Sequence, residues 1–295
     1  MNNKLRGVFA PITTPFDGNG QVVYEALVSN MKKYAASPIN GYLALGSNGE
    51  NKSLTNSEKE KVLKIIINNK NLNQIVMTGC IFESTVETIE FAKKAEEIGA
   101  DYITLLPPSY FKKQMTDAVL AKYFSDVANS VSIPCLVYNA PQFSGGVVLS
   151  ADLIKEVSKH PNIVGMKDSS TGNIENYLMA VDDSFAVMAG SANFFFNALL
   201  MGATGGVISL ANAFPNITVE LYESTVNLDM KKCIELNKKI LRINKAVSGK
   251  DGVASVKAAM DLAGFYGGDP RLPLLPIKVE DVATMKKLLE KEMLL

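Results

Sequence analysis

The chain has one histidine and three cysteines among its 295 residues. With His160 alone, no His-rich metal site can be built, and any Ser-His-Asp machinery must use that single residue. His160 ends a helical run just before Pro161, where a surface histidine complements the negative end of a helix. Cys80 and Cys135 fall in apolar, strand-like runs and Cys233 in a helical one. An odd count without close spacing argues against a disulfide framework and against a Cys-based zinc site, so reduced cytosol is the expected compartment. Net charge is absent too: Lys+Arg is 30 and Asp+Glu is 30. With no basic stripe, neither nucleic acid nor an anionic membrane is an expected partner. No apolar run is long enough to cross a bilayer. Residues 1–7 lack the apolar centre of a secretory signal, which again points to a cytoplasmic protein.

What is present is ordinary globular composition, 47% hydrophobic and 20% charged. The length suits two ordinary domains, or one α/β barrel with an extension. Short apolar runs at 7–16, 41–46, 74–80, 101–106, 133–138, 162–168, 185–190 and 205–210 read as strands. Helical stretches follow each of them. Leu27, Met31 and Tyr34 share a face of the first, over 22–36. Thr55 or Asn56 opens the second. Ser84-Thr85-Val86-Glu87 is a capping box for the third, which ends near Gly99. The others cover 117–131, 150–159, 173–181, 194–201 and 217–226. Eight strand–helix units in even succession predict a parallel sheet, and over residues 1–226 they fit a closed (β/α)8 TIM barrel. A doubly wound open sheet is the alternative, and no Gly-x-Gly-x-x-Gly follows the first strand to favour it. Residues 227–295 predict two or three helices, a C-terminal helical extension packed on the barrel.

The stretch that organises the chain is Pro161-Asn162-Ile163-Val164-Gly165-Met166-Lys167-Asp168-Ser169-Ser170. It reads as a buried parallel strand that places Lys167 at its carboxyl end. A lysine there is costly unless paired or neutral, and a neutral amine is a nucleophile toward a carbonyl. The plain alternative is a lysine snorkelling to the surface. Barrel chemistry collects at the carboxyl ends of strands. Those ends read Thr13-Thr14, Gly46-Ser47-Asn48-Gly49-Glu50, Pro107-Pro108-Ser109-Tyr110, Tyr138-Asn139, Lys167-Asp168-Ser169, Gly190-Ser191 and Ser209. This concentration of polar groups favours a catalytic Lys167, with Tyr138 as a proton relay and the Ser47-Asn48 turn as a carboxylate cradle. Tyr138 as a core residue and the turn as a plain βα connection are the bland alternatives. Glu50 reads as a structural residue rather than a general base. A phosphate site at the helix start 193–197 would imply a sugar-phosphate isomerase, but no Glu or His base stands at a strand end. A small oxo-acid sensor using the same pocket is the non-enzymatic rival.

Five motifs in order make the chain resemble the dihydrodipicolinate synthase/N-acetylneuraminate lyase family of class I pyruvate aldolases. They are Ala10-Pro11-Ile12-Thr13-Thr14-Pro15-Phe16, Gly46-Ser47-Asn48-Gly49-Glu50, Tyr138-Asn139-Ala140-Pro141, Gly165-Met166-Lys167-Asp168-Ser169 and Gly205-Gly206-Val207-Ile208-Ser209. The resemblance implies a Schiff base between Lys167 and pyruvate, proton transfer through Tyr138, and a pyruvate carboxylate held by Ser47 and Asn48. It implies that Ser169, Gly190, Ile208 and Ser209 line the substrate site. Tyr110 matches a tyrosine that reaches a neighbouring subunit's site, which implies a homodimer or homotetramer. No metal or organic cofactor is implied.

The partner aldehyde is read from departures. Typical dihydrodipicolinate synthases supply an arginine after the Tyr-Asn-x-Pro motif; Phe143 stands in that place here and cannot make a bidentate carboxylate contact. They also usually carry two threonines where this chain has Ser47-Asn48. Sialic acid lyases place acidic residues where Ala192 and Asn193 stand. The loop 46–50, the run 189–192, and the stretches 244–247 and 264–268 look most like the 4-hydroxy-2-oxoglutarate aldolase branch. The expectation is a lyase that splits a short 4-hydroxy-2-oxo acid into pyruvate and a small aldehyde. Dihydrodipicolinate synthase activity is the alternative, and a 2-keto-3-deoxy sugar-acid aldolase comes third.

Overall fold

A computed structural model describes residues 3–172, 174–249 and 251–295. Eight parallel strands form a closed barrel in sequence order. They are β1 (Gly7–Pro11), β2 (Gly41–Ala44), β3 (Ile75–Cys80), β4 (Tyr102–Leu105), β5 (Cys135–Asn139), β6 (Ile163–Asp168), β7 (Ala186–Ala189) and β8 (Gly205–Val207). The seam is closed by Gly7, Val8 and Phe9 against Gly205, Gly206 and Val207. A Cβ on Gly205 would stand 2.1 Å from the Gly7 carbonyl oxygen, so the two backbones meet only because that position is glycine.

Helices α1 (Tyr24–Ala35), α2 (Asn56–Asn69), α3 (Thr85–Ile98), α4 (Asp117–Ala128), α5 (Ala151–Val157), α6 (Ile174–Ala180) and α7 (Phe195–Leu200) return the chain between strands, and α8 (Pro215–Val226) follows β8. Leu27, Met31 and Tyr34 of α1, and Leu120, Tyr123, Phe124 and Val127 of α4, are buried against the sheet. Thr55 caps α2 in a full capping box with Glu58. Ser84 caps α3 through the Glu87 amide alone, at 3.2 Å, so only one arm of the expected box forms there. Gly99 ends α3 in the left-handed conformation, φ 102°.

Period-two alternation divides each strand between two cores. Phe9, Leu43, Met77, Tyr102, Leu136, Met188 and Val207 fill the barrel's interior. Val8, Ala10, Val76, Ile103, Val137, Met166 and Val187 pack outward against the helices. Tyr138 shares a face with Leu136, and Lys167 with Gly165, so both point inward at the carboxyl end.

Several strands are shorter than their apolar runs. β1 stops at Pro11, and Phe16 instead makes antiparallel bridges to Val22 and Asp269. β5 starts at Cys135, after Pro134, which has no amide to donate to a ladder. β8 stops at Val207 because Ser209–Asn212 turns into a 3-10 helix. Helices α4 and α5 end at Ala128 and Val157, before the expected 131 and 159. The expected start of α6 at Asn173 lies outside the described residues.

Three more helices follow: α9 (Met230–Val247), α10 (Val253–Leu262) and α11 (Val279–Lys291). α9 packs on α8, and α10 on the turn that follows β8. Among the described residues, no helix is long and apolar enough to cross a membrane.

Candidate active site

The carboxyl ends of the strands open into a cleft of about 1460 Å³. Ser47, Asn48, Tyr138, Phe143, Lys167, Ser169, Gly190 and Ser209 line it. Residues of the C-terminal helices, among them Asn244, Ser248, Val253 and Val256, complete one wall.

Lys167 is 5% exposed and Tyr138 is 2% exposed. The strand register sets Tyr138 opposite Lys167. The lysine nitrogen lies 4.3 Å from the centre of the phenol ring. The Ser47 hydroxyl stands 3.5 Å from the Tyr138 hydroxyl. Burial alone would raise the Tyr138 phenol. The Lys167 charge, with hydrogen bonds to Ser47, Ser169 and Lys167, outweighs burial and holds it below the ordinary tyrosine value.

Asn48 donates through Nδ2 to the Ser209 hydroxyl at 2.9 Å, joining the β2 loop to the end of β8. The Gly190 amide donates to the Asp168 carbonyl at 2.6 Å. A Cβ on Gly190 would stand 1.9 Å from the Ser169 hydroxyl oxygen, so glycine keeps that side of the site open. Two expected site residues are not on the cleft lining of this chain. Ile208 is fully buried, and its amide donates to the Phe9 carbonyl at 2.9 Å. Tyr110 is 81% exposed, its ring set edge-on against Phe111 at 5.0 Å. The Glu83 carboxylate fixes its backbone, accepting from the Ser109 and Tyr110 amides at 2.8 and 2.9 Å.

Behind the site stands a network the sequence left unassigned. Asp168 is the outward neighbour of Lys167. Its Oδ1 accepts from Asn139 Nδ2 at 2.8 Å and from the Ser170 hydroxyl at 2.7 Å. Asn139 also donates to the Tyr177 hydroxyl at 2.9 Å, and Tyr177 in turn donates to the Leu149 carbonyl at 2.6 Å. Burial pushes the Asp168 carboxyl up, against the hydrogen bonds from Ser170 and Asn139. The polar Tyr-Asn and Lys-Asp pairs at adjacent strand ends are the signal that would have found it: one member of each faces in and the other out.

Glu50 is a buried structural residue, as expected, and its partner is Lys257 of α10, 2.6 Å away. The sequence carried a sign of this. Val253, Val256, Lys257 and Met260 fall on one helical face, so the lysine occupies an apolar position. His160 sits on the turn after α5, its Nε2 3.1 Å from Asn129 Oδ1. All three cysteines are buried and unpaired. The alternative phosphate site has little to stand on, because α7 is a six-residue helix that starts among Phe194, Phe195 and Phe196.

An inward lysine facing a tyrosine at the mouth of a closed barrel, with a hydroxyl within reach, suits imine chemistry on a small carbonyl compound. Known proteins are similar to this chain over nearly its whole length. A 4-hydroxy-tetrahydrodipicolinate synthase of Methanothrix thermoacetophila is 31% identical over 291 residues, 97% of each chain. A protein of Emericella nidulans named a probable mitochondrial 4-hydroxy-2-oxoglutarate aldolase is also 31% identical, over 95% of this chain and 93% of that one. The crystal structure of YagE, a prophage protein of the dihydrodipicolinic acid synthase family from E. coli K12 in complex with pyruvate, superposes with a TM-score of 0.92. That match is at 27% identity and covers 98% of this chain and 99% of that one. The sequence model of the Dihydrodipicolinate synthetase family matches residues 4–292, and with barrel, lysine and tyrosine in place, the chain belongs to that family.

Proposed function

We propose that this chain is a Schiff-base lyase that splits a short 4-hydroxy-2-oxo acid into pyruvate and a small aldehyde. The observation that carries the reading is the inward, buried Lys167 in register with Tyr138. The Lys167 amine adds to the substrate's C2 carbonyl, and loss of water leaves an imine. The protonated imine withdraws electrons, so the C3–C4 bond breaks as the C4 hydroxyl gives up its proton and leaves as an aldehyde. The resulting enamine takes a proton at C3, and water releases pyruvate and restores the amine. Tyr138, with the Ser47 hydroxyl beside it, moves these protons. Ser47 and Asn48 hold the C1 carboxylate, and Ser169, Gly190, Ser209 and Ile208, just past the end of β8, shape the rest of the pocket. Tyr110, on an exposed loop, completes the relay in a neighbouring subunit of a homodimer or homotetramer. Three buried free thiols are in keeping with a cytoplasmic enzyme.

The choice of aldehyde rests on Phe143. It is half exposed on the cleft wall, and among the described residues no arginine lines that cleft. The second reading is condensation of pyruvate with aspartate semialdehyde, favoured by the 31% identity to a 4-hydroxy-tetrahydrodipicolinate synthase. A side-by-side measurement of kcat/KM decides between them. Cleavage of 4-hydroxy-2-oxoglutarate is expected to exceed condensation with aspartate semialdehyde, and the reverse preference overturns the reading.

A further inference from the structure

The loop that carries Ser47 and Asn48 has a backbone that does not hold its shape unaided. Leu45 and Glu50 bracket it, and both are non-glycine residues at positive φ, 55° and 53°. Such residues persist where the surroundings over-determine them. At Glu50 the surroundings come from the far end of the chain. Lys257 Nζ lies 2.6 Å from Glu50 Oε1, and both side chains are almost wholly excluded from solvent, at 0% and 1% exposure. The Arg271 amide donates to Glu50 Oε2 at 2.8 Å. Lys257 also donates to the Asp269 carbonyl at 2.9 Å and sits 4.4 Å above the Phe16 ring. The Glu50 amide in turn donates to the Ser47 carbonyl at 3.1 Å, so the anchored residue is bonded directly to the one facing Tyr138.

We infer that Lys257 is a positioning residue for the carboxylate cradle. It touches no substrate; through Glu50 it sets the turn that presents Ser47 and Asn48 to the C1 carboxylate of the 2-oxo acid. The inference rests on the reading that Lys167 forms an imine with that acid. A buried ion pair of this kind is weak evidence for stability, since apolar replacements of both partners are often neutral. Its placement under the cradle gives it a different use. Loss of the anchor is therefore expected to weaken capture of the oxo acid more than it slows the bond-breaking step.

The test measures borohydride trapping of pyruvate on Lys167 across a range of pyruvate concentrations, by intact mass, together with steady-state kinetics. The variants are Lys257→Met and the paired change Glu50→Gln/Lys257→Met, which leaves no buried charge alone if the single change does not fold. The half-saturating pyruvate concentration and KM are expected to rise roughly 10-fold or more, on a scale where a ~1 Å misplacement can cost 10²-fold. Adduct at saturation is expected to stay within about 3-fold of the parent, and kcat to fall by less than KM rises, since Ser47 also stands beside the Tyr138 relay. A folded variant with lower thermal stability but an unchanged concentration dependence overturns the inference and leaves only a structural pair. Failure of the paired variant to fold overturns it as well, by making the pair a requirement of the barrel rather than of the loop. A parent protein that traps no pyruvate on Lys167 overturns the imine reading itself, and this inference with it. An adduct on the parent with unmoved variants sinks this inference alone.

Discussion

Tyr138 and Lys167 face each other across the β5–β6 ladder, and the lysine nitrogen stands 4.3 Å from the centre of the phenol ring. The pairing is fixed by register. A one-residue slip of either strand would turn its member of the pair into the helical layer. The ring face offers a cation a favourable seat, and a neutral amine in the same place is held near the hydroxyl that will exchange protons with it.

Lys167→Ala is expected to abolish turnover and to eliminate the borohydride-reduced pyruvate adduct, read by peptide mass mapping. The lysine is almost wholly buried, and functional groups of this kind are held at a cost to stability. The melting temperature of the variant is therefore expected to be no lower than the parent's. An adduct on another lysine would dispose of the assignment.

Tyr138→Phe removes one hydroxyl and little volume. Proton-transfer groups typically contribute about 10²–10⁴-fold, and a loss of kcat/KM on that scale is expected. The Lys167 charge and its hydrogen bonds hold the phenol below its ordinary value despite burial. In the parent, an alkaline fall in activity should therefore begin below the pH at which a free tyrosine ionises, because a phenolate cannot donate. Turnover equal to the parent's in the phenylalanine variant would make Tyr138 a core residue.

Phe143→Arg places a guanidinium on the half-exposed wall of the cleft. It is expected to raise weak condensation with aspartate semialdehyde, since Arg matches a carboxylate in bidentate fashion. A drop in both activities, with no shift in their ratio, would separate Phe143 from the choice of aldehyde.

Tyr110 is fixed in its backbone by Glu83 but exposed in its side chain. In solution the protein is expected to sediment as a dimer or tetramer, and Tyr110→Phe to lower kcat without changing that state. A fully active monomer at assay concentration would refute a role across subunits.

Arg271 donates to both oxygens of Glu58, at 2.9 and 2.7 Å, and these bonds lower the carboxyl to about 2. A value depressed below that of the unfolded chain stabilises the fold above the unfolded value, and the contribution is lost as pH falls toward 2. Both side chains are partly exposed, so solvent screening keeps the pair to about 1 kcal/mol. Glu58→Gln retains the capping bond to Thr55 and is expected to flatten the fall of melting temperature between about pH 5 and 2. An unchanged acid slope would show the pair to be inert.

The barrel was legible because parallel strands buried on both faces announce themselves as apolar runs, and the turns between them as glycine and cap residues. Lys167, Tyr138 and Ser47 were legible because they stand at the ends of such runs. Strand limits were not, since Phe16 and Leu210 are apolar for reasons other than ladder pairing. Phe16 lies beneath the Lys257 and Arg271 side chains, and Leu210 is buried in a 3-10 turn. The partners of Glu50 and Glu58 stayed hidden for a different reason. No local pattern links a loop residue to a helix more than two hundred positions away, and only the assembled barrel brings Lys257 and Arg271 to them.

That separation has a consequence for how the protein is made. Glu50 leaves the ribosome 221 positions before the Arg271 amide that it accepts from. At about 5–20 residues per second, the wait is roughly 10–40 s. Thr14 and Asn51 already bond the turn through the Gly49 and Leu45 carbonyls, but Glu50 lacks its two charged and amide partners until Lys257 and Arg271 follow. The second βα connection, among the first pieces of the barrel to be synthesised, thus gains its Glu50 anchor only after all eight strands exist.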